Sequence, residues 1–245
     1  MTGSSKQHSP QHSSPLSPEH SPELWSALLA LDTPTVCNAL EVVNPGRRAQ
    51  GFNIRPLVCI RPSLPPMLGF ARTVRIRAAH KPAKRMDADG YYSYIAEGGP
   101  APSIVIIEDI DDSPGYGAFW GEVNTNIHYG LGCLGVVTNG SVRDIPDSQE
   151  KFQMLAGMVN PSHAFVNVVD WGGDVNVHGM EVSDADLVHA DMHGAVVFPA
   201  GDAQAIVEEA AKIMARERIV IDASQKPGFN MERLREAWKG QTEIH

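Results

Sequence analysis

Five residues have the types and spacing to handle an anionic substrate: Gly121, Glu122, Val123, Arg143 and Asp144. They bracket GEVNTNIHYGLGCLGVVTNGSVRD, in which a glycine opens a predicted helix, the helix leads into a buried strand, and the strand ends at Arg-Asp. A glycine at a helix start lets a ligand approach the free N–H groups of Gly121, Glu122 and Val123, where the helix dipole favours a carboxylate. Arg143 offers a planar fork of donors that matches a carboxylate or a developing enolate. Asp144 offers the hard oxygens that magnesium or manganese prefers. Ligands of α/β sheets commonly sit outside the carboxyl ends of the strands, where Asn139 to Asp144 falls, so both ends of the stretch can converge on one pocket. Magnesium keeps several waters and takes only one or two protein carboxylates, so few acidic ligands suffice if the substrate supplies the rest. Glu122 is then an outer carboxylate that orients a water or takes a proton.

Each of these residues also has a plainer reading. An Arg-Asp pair at a strand end is commonly a turn or a surface ion pair of little energetic weight. Glu122 alone is what a first helical turn asks for. Asn124 and His128 are spaced to share a helix face and to reach a ligand, or to serve as solvated or capping groups. Glu108, Asp109, Asp111 and Asp112 resemble a second metal site, but acidic residues followed by Ser113-Pro114-Gly115 more often build a turn. His163, His178, His189 and His193 lack zinc-enzyme spacing and read as structural or surface groups. No phosphate loop, nucleophile elbow or dinucleotide-binding glycine fingerprint is present in the sequence.

The elements that must position the site follow from periodicity. Pro22 opens a short helix. Thr33 reads as the N-cap of a second helix reaching about Val43, with Pro34 at its first position. From Gly69 to Ala78 apolar residues alternate with Arg72, Arg75 and Arg77, the period of a half-buried strand, and a polar helix or loop rich in Tyr and Lys follows. Ser103 to Ile107 is continuously apolar, as in a strand buried on both faces. A helix from about Gly121 to Tyr129 and a strand at Gly135 to Thr138 complete a βαβ unit. Further strands are expected at Ala164 to Val169, Val175 to Val177, Asp186 to Ala190 and Ala195 to Phe198, then helices from about Asp202 to Glu217 and around Met231 to Trp238. The expected organisation is a Ser/Pro/His-rich disordered tail over residues 1–21, one α/β domain over 22–222, and a helical extension over 223–245.

Composition narrows the partners. A formal net charge of −9 disfavours nucleic-acid backbones and anionic membranes, which both need a basic footprint. Cys37, Cys59 and Cys133 are odd in number and set in apolar contexts, which suits reduced thiols. No apolar run approaches the ~18 residues of a membrane span and no signal-type segment opens the chain, so the sequence reads as cytoplasmic.

The Gly121-Glu122 pair, twenty intervening residues, and Arg143-Asp144 resemble the signature of the RraA-like family. That family includes class II 4-hydroxy-4-methyl-2-oxoglutarate aldolases that also decarboxylate oxaloacetate, and relatives labelled dimethylmenaquinone methyltransferase-like. The likeness extends to Leu31–Leu40, to Gly69–Val74, to Ile104–Asp109 and to the closing segment Asp186–Pro199. It implies a swivelling β/β/α sandwich of the phosphohistidine-domain type, assembled as a homotrimer or hexamer. It also implies metal binding by Asp144, substrate keto and carboxylate contacts by Arg143, a water held by Glu122, and a pyruvyl carboxylate on the amides around Gly121 and Val123. The reaction implied is C–C cleavage of a small 2-oxo acid with Mg²⁺ or Mn²⁺, through an enolate. The resemblance also implies an alternative, a non-catalytic binding protein that regulates a ribonuclease; and because enolate stabilisation serves several eliminations, a lyase or dehydratase for another oxyacid is a further one. The sequence departs from the family where Val123-Asn124-Thr125-Asn126-Ile127-His128 replaces an apolar, alanine-rich helix, and where Ser183-Asp184-Ala185-Asp186 replaces Pro-Gly-Asp.

Overall fold

A computed structural model of the protein describes residues 21–84 and 86–241. Residues 1–20 of the expected tail lie outside them; Ser21 does not, and its hydroxyl caps the first helix by accepting from Leu24 N at 3.1 Å. That helix, α1, spans Pro22–Leu29. The second, α2, spans Thr33–Val43, and its cap is Asp32, one residue earlier than the sequence suggested. Asp32 accepts from Thr35 N at 2.9 Å. Thr33 is instead buried, its amide bonding the Asp191 carboxylate at 2.9 Å and its hydroxyl lying 2.9 Å from His189 Nδ1.

Short β1 (Val58–Cys59) precedes the long strand β2 (Met67–Arg77). The ambiguous Tyr-rich segment folds as α3 (Ala88–Glu97), capped by Asp87, and leads into β3 (Ser103–Asp109). Then come β4 (Ala118–Trp120), α4 (Glu122–Gly130), β5 (Cys133–Val142) and β6 (Gln153–Val159). The remainder is β7 (Asn167–Trp171), the small hairpin β8 (Val175–Val177) and β9 (Met180–Val182), and the hairpin β10 (Leu187–Asp191) and β11 (Gly194–Phe198). Helices α5 (Ala203–Ser224) and α6 (Met231–Gln241) close the described chain.

Nine strands form one mixed sheet in the order β1-β6-β5-β3-β2-β10-β11, with β4 added to β5 and β7 added to β2. β2, β3, β5 and β6 run parallel, so β2-α3-β3 and the expected β3-α4-β5 unit are crossovers through helices. β3 shows why its sequence is apolar without alternation. Val105 and Ile107 face one core with Tyr91, Ile95, Trp120 and Phe152; Ile104 and Ile106 face another with Val175, Val177, Met180 and Val182 of the β8–β9 hairpin. A third core joins α1, α2 and the start of α5 to β2, β10 and β11. All three cysteines are free thiols. Ala185 sits at φ 66°, in the left-handed region that favours glycine. No helix among the described residues is long and apolar enough to cross a membrane.

Candidate active site

The decisive element is one that periodicity did not reveal. β4 is three residues long, yet it lies parallel on the end of β5, with Ala118 opposite Ser141 and Trp120 opposite Val142. Arg143 N extends the ladder by donating to Trp120 O at 2.8 Å. The chain leaving β4 at Gly121 therefore runs beside the chain leaving β5 at Arg143 and Asp144. The convergence of helix start and strand end expected from the sequence is what this pairing produces.

Contact at the junction is tight. A β-carbon on Gly121 would lie 2.5 Å from Asp144 Oδ2 and 3.3 Å from Arg143 Cγ, so a larger residue here would push the Asp144 carboxylate out of its present position. Gly121 is the N-cap of α4 with extended backbone and no side-chain cap, which leaves the first-turn amides without a protein side chain on them. Arg143 Nε lies 3.6 Å from Asp144 Oδ2, and both side chains are about a third exposed. A pair so placed is weakly held and open to a competing anion or cation. Asp144 has φ 51°, an uncommon backbone for a non-glycine residue, and it opens a turn in which its carbonyl accepts from Asp147 N at 3.1 Å and Ser148 N at 2.8 Å.

Glu122 and Val123 stand on the first turn of α4, both exposed. Glu122 forms no ion pair with Arg143 at this junction; Val123 leaves its apolar side chain 69% exposed. Gly121, Arg143 and Asp144 are thus brought into contact, and the other two residues follow along the helix.

Asn124 and His128 face inward, away from the ligand role that their spacing allowed. Asn124 donates to Phe119 O at 2.6 Å and accepts from the Tyr92 hydroxyl at 3.1 Å. His128 is fully buried, 2.8 Å from the Tyr91 hydroxyl through Nε2 and 2.7 Å from Asn124 O through Nδ1. Burial pushes its pKa down to about 4, against a smaller upward pull from the Asn124 carbonyl. It is a neutral core residue. The acidic run spans the end of β3 and the turn after it: Asp109 accepts from Gly115 N at 2.7 Å and Asp111 N at 3.1 Å, and Asp111 accepts from Ala78 N and Ala79 N. His189 is buried between Thr33 and Leu28 O, and His193 pairs with Asp191, as structural histidines do.

Among the described residues no three His, Cys, Asp or Glu side chains gather to cage a metal. The donor set is one carboxylate, Asp144, with Glu122 on the adjacent turn. That set does not suit zinc, which wants several nitrogen or sulfur ligands, and fits magnesium or manganese, which keep waters and accept oxygens from a chelating substrate.

Fold and site together define a mixed α/β domain with an uncapped helix start set against an Arg-Asp strand end. A family model for RraA-like proteins, described as Aldolase/RraA, matches residues 33–197, and the chain belongs to that family. The family holds both aldolase or decarboxylase members and RraA ribonuclease inhibitors. A search of curated proteins finds no match. Solved structures share the fold. An uncharacterized protein from Pseudomonas syringae pv. tomato str. DC3000 is 20% identical, with 94% of this chain and 99% of that one covered and a TM-score of 0.67. Streptomyces coelicolor RraAS2, described as an unusual member of the RNase ES inhibitor RraA protein family, is 22% identical over 81% of this chain and 96% of its own, with a TM-score of 0.64.

Proposed function

We propose that the protein is a divalent-metal-dependent lyase that breaks a C–C bond in a small 2-oxo acid, by aldol cleavage or by oxaloacetate-type decarboxylation. The observation that carries this reading is the contact of Gly121 with Arg143 and Asp144, which sets an uncapped helix start, a guanidinium and a carboxylate around one small volume. Asp144 would hold Mg²⁺ or Mn²⁺, which supplies Lewis-acid polarisation of the substrate's keto oxygen. The amides of Gly121 and Val123 bind the substrate carboxylate. As the C–C bond breaks, its electron pair moves towards the keto oxygen, and Arg143 donates to that oxygen, where charge develops. Glu122, exposed on the first turn, orients a water that in aldol cleavage takes the proton of the hydroxyl becoming the departing carbonyl, and in either reaction a water at this position protonates the enolate carbon. Assembly as a trimer or hexamer, a cytoplasmic location, and the division into a domain over 22–222 and a helical extension over 223–245 belong to the same reading; family membership supports oligomeric assembly.

The test is pyruvate release from oxaloacetate and from 4-hydroxy-4-methyl-2-oxoglutarate with magnesium, with manganese and with chelator, each corrected for catalysis by the free metal. Asp144→Asn is the informative variant, because asparagine tolerates the left-handed backbone at this position. Loss of metal-stimulated release is expected; undiminished release overturns the assignment. A ribonuclease-binding role is the second reading, favoured by the shared fold with the Streptomyces protein. It would show as capture of a ribonuclease that is indifferent to Asp144→Asn.

A further inference from the structure

We infer that Arg61 and Thr125 are positioning residues for Asp144, a role that rests on the metal-binding reading of that carboxylate. Neither lies within the Gly-Glu and Arg-Asp motif, and Arg61 comes from a loop far away in sequence. Both grip the turn that Asp144 opens. The Arg61 guanidinium donates through Nη2 to Ser148 O at 2.7 Å and Ser148 Oγ at 2.8 Å, and through Nε to Gln149 O at 3.2 Å. Arg61 is itself fixed, since its amide donates to Gln153 Oε1 at 3.2 Å and its carbonyl accepts from Gln153 Nε2 at 2.7 Å. Gln153 is buried at the start of β6. The turn is thereby anchored to the sheet on one side.

Thr125 anchors it to the helix on the other. Its buried hydroxyl lies 2.8 Å from Gly121 O and 3.0 Å from Glu122 O, and it accepts from Gln149 N at 3.0 Å. One oxygen atom thus joins the first turn of α4 to residue 149, while Ser148 N bonds back to the Asp144 carbonyl. Asp144 gains from such a grip because its left-handed backbone, which aspartate tolerates better than most residues, is still uncommon and is fixed here by the surrounding turn. Its carboxylate is also only 3.6 Å from Arg143, so a released turn lets the pair collapse or swing apart. Groups that orient a metal ligand without touching the metal typically change its affinity by about 10- to 100-fold when removed.

The experiment titrates the full-length protein with Mn²⁺ in the presence of pyruvate, following free Mn²⁺ by electron paramagnetic resonance, for the wild type, Thr125→Val, Thr125→Ser, Arg61→Met and Asp144→Asn. Thr125→Val keeps the shape and removes the hydroxyl, whereas Thr125→Ser keeps the hydroxyl. Mn²⁺ affinity of the folded protein, measured well below each variant's unfolding temperature, does not move with a general loss of stability. The expected result is affinity about tenfold or more weaker in Thr125→Val and Arg61→Met, near wild type in Thr125→Ser, and lost in Asp144→Asn. Wild-type affinity in Thr125→Val, with affinity lost in Asp144→Asn, overturns the positioning role and leaves the metal assignment standing. If Arg61→Met does not fold, the Thr125 pair decides alone. Unchanged affinity in Asp144→Asn, or no Mn²⁺ bound by the wild type, overturns the metal reading and the positioning role with it.

Discussion

Gly121→Ala isolates the close approach on which the proposed chemistry depends. The backbone at Gly121 is extended, with φ −162°, so alanine adds no conformational strain. What it adds is a methyl group 2.5 Å from Asp144 Oδ2, where ordinary contact begins near 3.4 Å. The carboxylate or the helix start must therefore give by about 0.9 Å. Asp144 is partly exposed and can swing aside, so folding should suffer little, with a cost of about 1 kcal/mol from alanine at an N-cap. Catalysis has no such latitude: a misplacement of about 1 Å costs on the order of 10²-fold in rate, or roughly 3 kcal/mol of barrier. Metal-stimulated pyruvate release by the variant should therefore fall by about two orders of magnitude while its thermal unfolding shifts by a few degrees. Turnover within about threefold of wild type would show that the position of Asp144 against the helix start is not what the reaction uses.

Arg143→Lys should lower kcat roughly 10²-fold without changing stability measurably, because an ammonium cannot reproduce the planar fork and the Arg143–Asp144 pair is too exposed to support the fold. Retained kcat would remove Arg143 from charge stabilisation. His128 predicts an acid limit to stability. Its folded pKa of about 4 lies below the unfolded value near 6.5, so the unfolded chain takes up the proton first. Its contribution is complete above about pH 6.5 and is lost as pH falls towards 4, by roughly 3 kcal/mol. His189, whose pKa burial also lowers, acts in the same direction and is retained in both the wild type and His128→Gln. Denaturant unfolding between pH 7 and 4 should therefore show a shallower loss in His128→Gln than in wild type, and equal slopes would contradict the buried neutral assignment.

The sequence was most legible where a single residue type carries a single physical demand. The unalternating run Ile104 to Ile107 implies two covered faces, and both are covered. Arg143 and Asp144 at the end of a buried strand, with Gly121 opening a helix, imply convergence, and they touch. What stayed hidden depends on pairing between segments distant in sequence. β4 offers only Ala118-Phe119-Trp120, too short for any periodicity, and its meaning comes from lying on β5. β6, Gln153-Met154-Leu155-Ala156-Gly157-Met158-Val159, holds one β-branched residue and a glycine among helix-tolerant ones and is a strand because β5 and β1 flank it. His128 and Asn124 misled for a related reason: helical spacing fixes which residues share a face but not whether that face meets a ligand or Tyr91, Tyr92 and Trp120. Thr125 is the extreme case. In sequence it is one polar residue inside a polar helix, and only the return of Gln149 to its hydroxyl makes it a joint between the two halves of the site. The residues proposed to meet substrate were therefore legible as candidates from their chemistry, whereas those that hold them in place become visible only once the topology is known.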